Sequence, residues 1–220
     1  MMKKGIIILF CFVSAQTFAQ WKSYYPEEKK KEKMASNQGI DKENFLYEKH
    51  LFNGLKAKSL ENYEEALEQF QKCIKLNNKQ ALPFYESALI NKNQGDLDLA
   101  EEHIKRATIL EKKNRWYQLA YAEILFSKQN FKSAAEEYKK LILLEPGNEE
   151  VYYLLADTYI YNKDFLKAIA VYDDLEEKKG VDRMISMQKH KLYMQLQKQK
   201  KGIHELLKLI DNYPNDVDAL

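Results

Sequence analysis

Apolar and polar positions follow a helical spacing along most of the chain, and residues 130–148, NFKSAAEEYKKLILLEPGN, show it clearly. Apolar side chains recur there at i, i+3, i+4 and i+7, with lysines and glutamates between them, which predicts an amphipathic helix with one buried face. Pro146 and Gly147 end this helix, because proline lacks an amide hydrogen and glycine readily takes left-handed turn conformations. The next helix is predicted to start near Asn148. The predicted buried face consists of Phe131, Ala134, Ala135, Tyr138, Leu141 and Ile142.

The pattern recurs every 34 residues, without insertion or deletion. A small residue on each of two successive helices allows their backbones to approach closely, and the large residues around it fill the seam. A strict period of this kind predicts stacked helix pairs, since one pair cannot bury its apolar face alone. The first small-residue position reads Gly54, Ala88, Ala122, Ala156 and His190, and the position twelve residues later reads Ala66, Ala100, Ala134, Ala168 and Gly202.

The period and pattern resemble the tetratricopeptide repeat family, whose units have 34 residues and run W-x2-L-G-x2-Y, then A-x3-F, then P. The unit at residues 149–182 carries the clearest match, and the unit at 183–216 departs most, with His190, Gln199 and Gly202 at motif positions. The resemblance implies an all-α, right-handed superhelical solenoid of antiparallel helix pairs over residues 42–216. Its five repeats are 47–80, 81–114, 115–148, 149–182 and 183–216, and residues 217–220 begin an incomplete sixth. The matching residues of the clearest unit are Tyr152, Leu155, Ala156, Tyr159, Ala168 and Tyr172.

The N-terminal segment MMKKGIIILFCFVSAQTFAQ is typical of a secretory signal peptide, with Lys3 and Lys4 before a short apolar core. The core is shorter than the stretch of about 20 apolar residues of a permanent membrane span, which favours a cleaved signal; the alternative is an N-terminal membrane anchor that is never removed. Cleavage is predicted after Ala19, and Phe10 before Cys11 argues against a lipid-modified cysteine. Residues 20–41 form a charged leader without periodicity. The protein is therefore expected to be periplasmic or secreted, with no integral membrane segment after the signal is removed.

Charge and cysteine content narrow the classes of partner. The full chain holds 35 basic and 33 acidic residues, and loss of residues 1–19 removes two lysines, so the mature chain is nearly neutral. Nucleic acid is not an expected partner, because phosphate binding needs a basic surplus. Cys73 is the one cysteine left after cleavage, which rules out an intrachain disulfide, and its place on a helix predicts a buried filler.

The sequence offers no assembled chemistry, so no enzyme activity, metal or cofactor is predicted. The four histidines, His50, His103, His190 and His204, are scattered, and HELLK at residues 204–208 has Lys208 where a zinc-protease motif needs its second histidine. Gly-rich phosphate loops and a nucleophile elbow are also missing from the sequence. Paired acids such as Glu136 and Glu137 recur on the second helices, where a solvated face is expected.

The resemblance implies a binding groove instead, lined on the concave side by the first helix of each repeat. An extended apolar surface of this kind is expected to bind a protein or peptide, because large exposed apolar patches are uncommon on solitary proteins. The predicted contact residues are Leu51, Leu55, Tyr85, Leu89, Lys92, Trp116, Leu119, Phe126, Tyr153, Asp157 and Tyr161. Equivalent positions hold Lys58, Leu82, Asn93, Glu123, Ile160, Met184, Met187, Lys191 and Met194.

The predicted function is thus an exported, non-enzymatic scaffold in a bacterial cell-envelope assembly. Leu51 and Leu55 replace the lysine and asparagine with which some members of the family clamp a C-terminal carboxylate, so an apolar or helical ligand is expected. The alternative is the N-terminal repeat region of a longer protein or enzyme subunit, whose active part lies beyond residue 220. A related expectation is that the C-terminal end, where Leu206 and Ile210 have no following helix, docks on another protein.

Overall fold

The computed structural model describes residues 42–213, where the chain forms ten α-helices and no strand. This confirms the predicted all-α class of helical repeats. The predicted signal peptide, the leader and residues 214–220 lie outside the described residues. The helices are α1 (Lys42–Ser59), α2 (Tyr63–Leu76), α3 (Leu82–Gln94), α4 (Leu97–Leu110), α5 (Arg115–Ser127), α6 (Phe131–Leu144), α7 (Glu149–Tyr161), α8 (Phe165–Lys179), α9 (Arg183–Gln195) and α10 (Gln199–Asn212).

The chain divides into two compact units after Asn77. The first contains the helix pair α1 and α2, and the second contains the four pairs from α3 to α10. Within the second unit each helix packs against the helix before it and the helix after it in the sequence. Its largest fully buried side chains include Tyr138, Tyr152 and Tyr172, which lie on three successive helices of one apolar cluster.

The small-residue positions form the seams between paired helices, as predicted. The alanines at these positions, from Ala66 to Ala168, are completely buried. In the first pair, a Cβ atom on Gly54 would lie 2.6 Å from Cε1 of Phe70, so the bare glycine is required there. In the last pair the roles are exchanged, because the ring of His190 occupies the seam and its Nδ1 lies 2.9 Å from the carbonyl oxygen of Gly202. His190 and Gly202 therefore compensate for each other.

The turn inside each helix pair has the same backbone geometry. A left-handed residue occurs at 34-residue intervals, namely Glu61, Gly95, Gln129, Lys163 and Gln197, with φ between 58° and 85°. The following residue is the N-cap of the second helix, and Asn62, Asp96 and Asn130 each accept a backbone hydrogen bond through the side chain. The second helices accordingly start at Tyr63, Leu97, Phe131, Phe165 and Gln199.

Cys73 is a buried filler, as predicted. Its side chain is fully buried, its Sγ lies 3.5 Å from the carbonyl oxygen of Tyr47, and desolvation raises its pKa to about 12. The thiol therefore stays protonated and unreactive near neutral pH. Over residues 42–213, every helix is too short or too polar to cross a membrane.

Candidate binding surface on the first helices

The predicted contact residues lie on the first helix of each pair and remain at least partly accessible. In the first unit, Leu51 is half-buried and Leu55 exposed, both on α1. In the second unit, Trp116 and Tyr161 stand out, with 56% and 63% of their side-chain surface exposed. The remaining apolar ones are half-buried, which leaves one edge of each side chain open to a ligand: Tyr85, Leu89, Leu119, Phe126 and Tyr153. Whether they contact a partner stays a prediction.

Tyr85 is held by a neighbouring ring and Trp116 by a neighbouring guanidinium group. The ring of Tyr85 on α3 lies 4.7 Å from that of buried Tyr117 on α5. The guanidinium of Arg115 lies 4.3 Å above the Trp116 ring and is held from behind by Glu145, at 3.1 Å. Trp116 is thus exposed but supported by a cation–π contact, an arrangement that limits the entropy lost when a ligand covers the ring.

Phe126 and Tyr161 come together on adjacent first helices. Their ring centroids lie 5.1 Å apart in an edge-to-face arrangement, and Phe131 of α6 contacts both rings, at 5.3 Å and 5.9 Å. One turn and two turns before Tyr161 on α7 stand Asp157 and Tyr153. The ring of Tyr153 lies 6.1 Å from buried Tyr172. This part of the surface is therefore the most aromatic.

The charged residues of the surface differ in their partners. Lys92 of α3 and Glu123 of α5 form an ion pair of 2.5 Å between consecutive first helices. Asp157 is exposed, and its carboxylate makes no ion pair or hydrogen bond within the described part of the chain. Partial desolvation nevertheless raises its pKa. Burial raises the pKa values of the Tyr138 and Tyr172 hydroxyls, and the negative charge of Asp157 adds to this.

The second helices offer a different apolar surface. A depression of about 420 Å³ lies beside α6, α7 and α8, with Ile142, Leu155 and Val171 among its lining residues. Lys139 and Lys167 border it, with their ammonium groups 5.9 Å and 5.5 Å from the centre of the Tyr159 ring. Leu143 on α6 is the most exposed apolar residue of this lining.

A buried charge cluster, which was not predicted from the sequence, joins the last two helix pairs. The side chain of Lys189 on α9 is 3% exposed, and its ammonium group lies 2.6 Å from Asp173, 2.9 Å from Glu176 and 3.1 Å from Glu205. Lys208 adds a second cation, 2.5 Å from Glu176. Desolvation opposes the charge of Lys189, but the hydrogen bonds that its ammonium group donates to the acids outweigh it and raise the pKa of Lys189. A lysine at a position that is apolar in the preceding repeat was the available signal.

Three of the four histidines, His50, His103 and His190, have structural partners, and His204 is exposed. The Nδ1 atom of His50 lies 2.7 Å from Gln69, and that of His103 lies 3.1 Å from Asn91. Within residues 42–213, the acids, histidines and cysteine form no group of three or more that is placed to hold a metal ion.

Comparisons with known proteins identify the repeats. Two segments, residues 125–188 and residues 57–80, match sequence models of the tetratricopeptide repeat. The small glutamine-rich tetratricopeptide repeat-containing protein 2 of Mycosarcoma maydis is 31% identical over 99 residues. That match covers 44% of this chain and 27% of the relative, so it spans about a quarter of the relative's length.

Solved structures show the same fold at low sequence identity. A MamA protein superposes with a TM-score of 0.65 at 14% identity, covering 79% of this chain and 94% of its own. YrrB, described as a TPR protein with an unusual peptide-binding site, gives a TM-score of 0.62 at 15% identity, covering 85% of this chain and 94% of its own. Residues 57–80 and 125–188 are therefore similar in sequence to tetratricopeptide repeats, and the fold is that of solved proteins with such repeats, which in general bind proteins or peptides.

Proposed function

We propose that this chain of tetratricopeptide repeats is an exported scaffold that binds a protein segment along the first-helix surface, within a bacterial cell-envelope assembly. The observation that carries the proposal is the row of accessible aromatic and apolar side chains on consecutive first helices: Tyr85, Trp116, Leu119, Phe126, Tyr153 and Tyr161. Rigid aromatic side chains dominate binding energies at protein interfaces, because they bury a large area for little lost entropy.

Two features support export and an apolar ligand. The sequence of residues 1–19 has the charge and apolar pattern of a signal peptide, and the mature chain would carry nearly equal numbers of acidic and basic residues. Leu51 and Leu55 stand where a carboxylate clamp would need polar groups. The peptide-binding site named for YrrB is a precedent for ligand binding by this fold.

Affinity capture with paired variants tests the binding surface. The immobilised full chain is exposed to an envelope extract beside the variant Tyr85→Ala/Trp116→Ala/Tyr153→Ala. The matched control is Ile109→Ala/Leu143→Ala/Leu166→Ala, which removes three exposed apolar side chains from the second helices. Circular dichroism checks that both variants keep their helicity.

A protein retained by the native chain and the control, but lost from the first-helix variant, is the expected result. If all three forms retain the same proteins, the first-helix surface is not the binding site. The exposed Ile203 and Leu207 of α10 would then be the next docking surface to test. For export, the chain recovered from the cell envelope is expected to begin at Gln20, which N-terminal mass spectrometry checks.

A further inference from the structure

Asp157 of α7 lies on the proposed first-helix binding surface, and its role as a ligand contact rests on that proposed function. The internal repeat provides the reference for this residue. Lys92 and Glu123 pair across consecutive first helices at 2.5 Å, and their equivalents 34 residues later are Phe126 and Asp157. The acid is kept at the second site while its lysine is replaced by a phenylalanine. Asp157 is therefore the acidic half of an ion pair whose cationic half is not supplied by residues 42–213.

The surroundings of Asp157 suit a cation. The Phe126 ring, in the place of the missing lysine, contacts Tyr161, which is 63% exposed, and Tyr153 stands one turn before Asp157 on the same face of α7. Aromatic faces attract ammonium and guanidinium groups, and the attraction grows when water is excluded. Neighbouring charges do not satisfy the carboxylate, since Glu123 is also acidic and pairs with Lys92.

Apolar side chains lie on either side of this position, and the exposed Lys191 of α9, one repeat after Asp157, makes no ion pair with it. Leu119 and Ile160 are half-buried on α5 and α7, and Met187 and Met194 on α9 are half-buried and exposed, respectively. A ligand that reaches Asp157 thus covers apolar side chains as well, as a polypeptide with apolar residues around one basic residue would do. The unpaired Asp157 disfavours acidic ligands, because binding of an acidic group would bring two negative charges together away from water.

We propose that Asp157, together with Phe126, Tyr153 and Tyr161, receives a lysine or arginine side chain of the bound protein segment, flanked by apolar residues. The ligand side chain takes the position that Lys92 takes against Glu123 in the preceding repeat. Specificity comes from the carboxylate, and the rings hold the aliphatic stem of the basic side chain.

Peptide pools that differ at one position test this assignment. Each pool contains acetylated and amidated nonapeptides with Leu, Phe, Gln and Ser mixed at the flanking positions, and the central residue is Lys, Arg, norleucine or Glu. Norleucine keeps the stem of lysine without its charge. The immobilised full chain is incubated with each pool, and the retained peptides are measured by mass spectrometry.

The native chain is expected to retain the Lys and Arg pools about tenfold more than the norleucine pool, and the Glu pool least, since an ion-assisted hydrogen bond is gained. Asp157→Asn should lower this ratio to about one while still retaining the norleucine pool. Phe126→Lys should also abolish the preference, because it restores the internal pair of the preceding repeat. Asp174→Asn makes the same chemical change at an exposed position of α8 and should leave the ratio of Lys to norleucine retention unchanged.

Equal retention of the Lys and norleucine pools by the native chain, or a preference that survives in Asp157→Asn, overturns the proposal. If both pools are then lost in Tyr153→Ala, the first-helix surface still binds peptides and only the cation site is wrong. Retention of no pool by the native chain also overturns the cation site, and the proposed function is then decided by the capture experiment above.

Discussion

The junction between α6, α7 and α8 and the junction between α8, α9 and α10 use opposite chemistry at equivalent positions. In the first, Ile142, Leu155 and Val171 line an apolar depression. Exactly one repeat later the same positions hold Glu176, Lys189 and Glu205, which are buried together as ions. The 34-residue spacing is the same at both junctions. The repeat is therefore compatible with either apolar or charged side chains at these positions, provided that they pack together and that buried charges have partners.

The two chemistries differ in how they fail. An apolar seam loses stability in proportion to the volume that is removed. A buried ion cluster is worth little compared with well-packed apolar residues, but loss of one ion leaves the others desolvated without a partner. In addition, Oε1 of Glu176 accepts no hydrogen bond from the described residues, so the cluster is not fully satisfied. The last repeat is therefore expected to be the more fragile region.

The largest effect is expected from removing the central cation. Lys189→Leu leaves Glu176 and Glu205 buried without Lys189, and should lower the free energy of unfolding by about 3–5 kcal/mol. The measurement is urea unfolding followed by circular dichroism. Lys200→Leu, at an exposed position of α10, is the control and should change stability by less than about 0.5 kcal/mol.

Converting the whole cluster should reverse that loss. The triple variant Glu176→Ile/Lys189→Leu/Glu205→Val copies the apolar junction, and its stability should equal or exceed that of the native chain, by as much as about 1–4 kcal/mol. If the triple variant were as unstable as Lys189→Leu alone, the charges would be contributing through geometry that apolar residues cannot replace.

A seam exchange tests the second difference between the regions. Ala156→His in the central repeat places a ring where buried Ala156 meets the paired helix, and overpacking should cost about 1–3 kcal/mol. Adding Ala168→Gly reproduces the His190–Gly202 arrangement of the last repeat and should recover part of the loss. No recovery would mean that the glycine is not what accommodates the histidine. Thermal unfolding of the single and double variants provides the comparison.

The stability of the charged junction should depend on pH, whereas that of the apolar junction should not. The pKa of Glu176 is lowered, because hydrogen bonds from Lys208 and Lys189 outweigh the desolvation that acts to raise it. Its contribution is complete above the ordinary value of 4.5 and is lost as the pH falls through the lowered pKa. The pKa of Lys189 is raised, so its contribution is present below 10.5 and is lost as the pH rises through the raised value.

Relative to the triple apolar variant, the native chain should therefore lose free energy of unfolding at both low and high pH. This loss should be smaller than the loss caused by Lys189→Leu. The difference between the unfolding midpoints of the two proteins, measured across the pH range, tests this. A difference that does not change with pH would show that the cluster's charges do not contribute to stability.

Much of the fold could be predicted from the sequence, because small residues at a fixed interval restrict helix packing strongly. Ala134 and its equivalents gave the register, and the apolar face around Tyr138 is buried as expected. The left-handed turns could not be predicted, because Glu61, Gln129 and Lys163 are not typical turn residues, and the chain around them imposes the conformation.

The candidate surface was predictable in position but not in chemistry. The accessible rings lie on the first helices, as the repeat pattern indicated. The sequence alone could not show that Lys92 pairs with Glu123 while Asp157 has no such partner, because an ion pair depends on the geometry of two helices 31 residues apart. The burial of Lys189 was also unexpected, since lysine is rarely buried without several partners.

The smallest effect is expected at the turns. Gln197→Gly in the last pair, and Gln129→Gly in a central pair, should each stabilise the chain by about 0.5–1 kcal/mol, since glycine takes a positive φ without strain. Gly95→Ala should destabilise it by a similar amount, because alanine is strained at a φ of 85°. Equal shifts in the last and central pairs would show that turn energetics do not depend on the chemistry of the seam.

The packing of each helix against its neighbours in sequence also bears on how the second unit folds. Contacts between residues close in sequence form quickly, since little chain entropy is lost before they are made, and such chains fold rapidly and can nucleate at any repeat. A substitution should then change the packing of the adjoining helices and have little effect on distant ones. We expect that a surface residue such as Phe126 can be exchanged during evolution, with a change in what the chain recognises, while distant helix pairs fold as before.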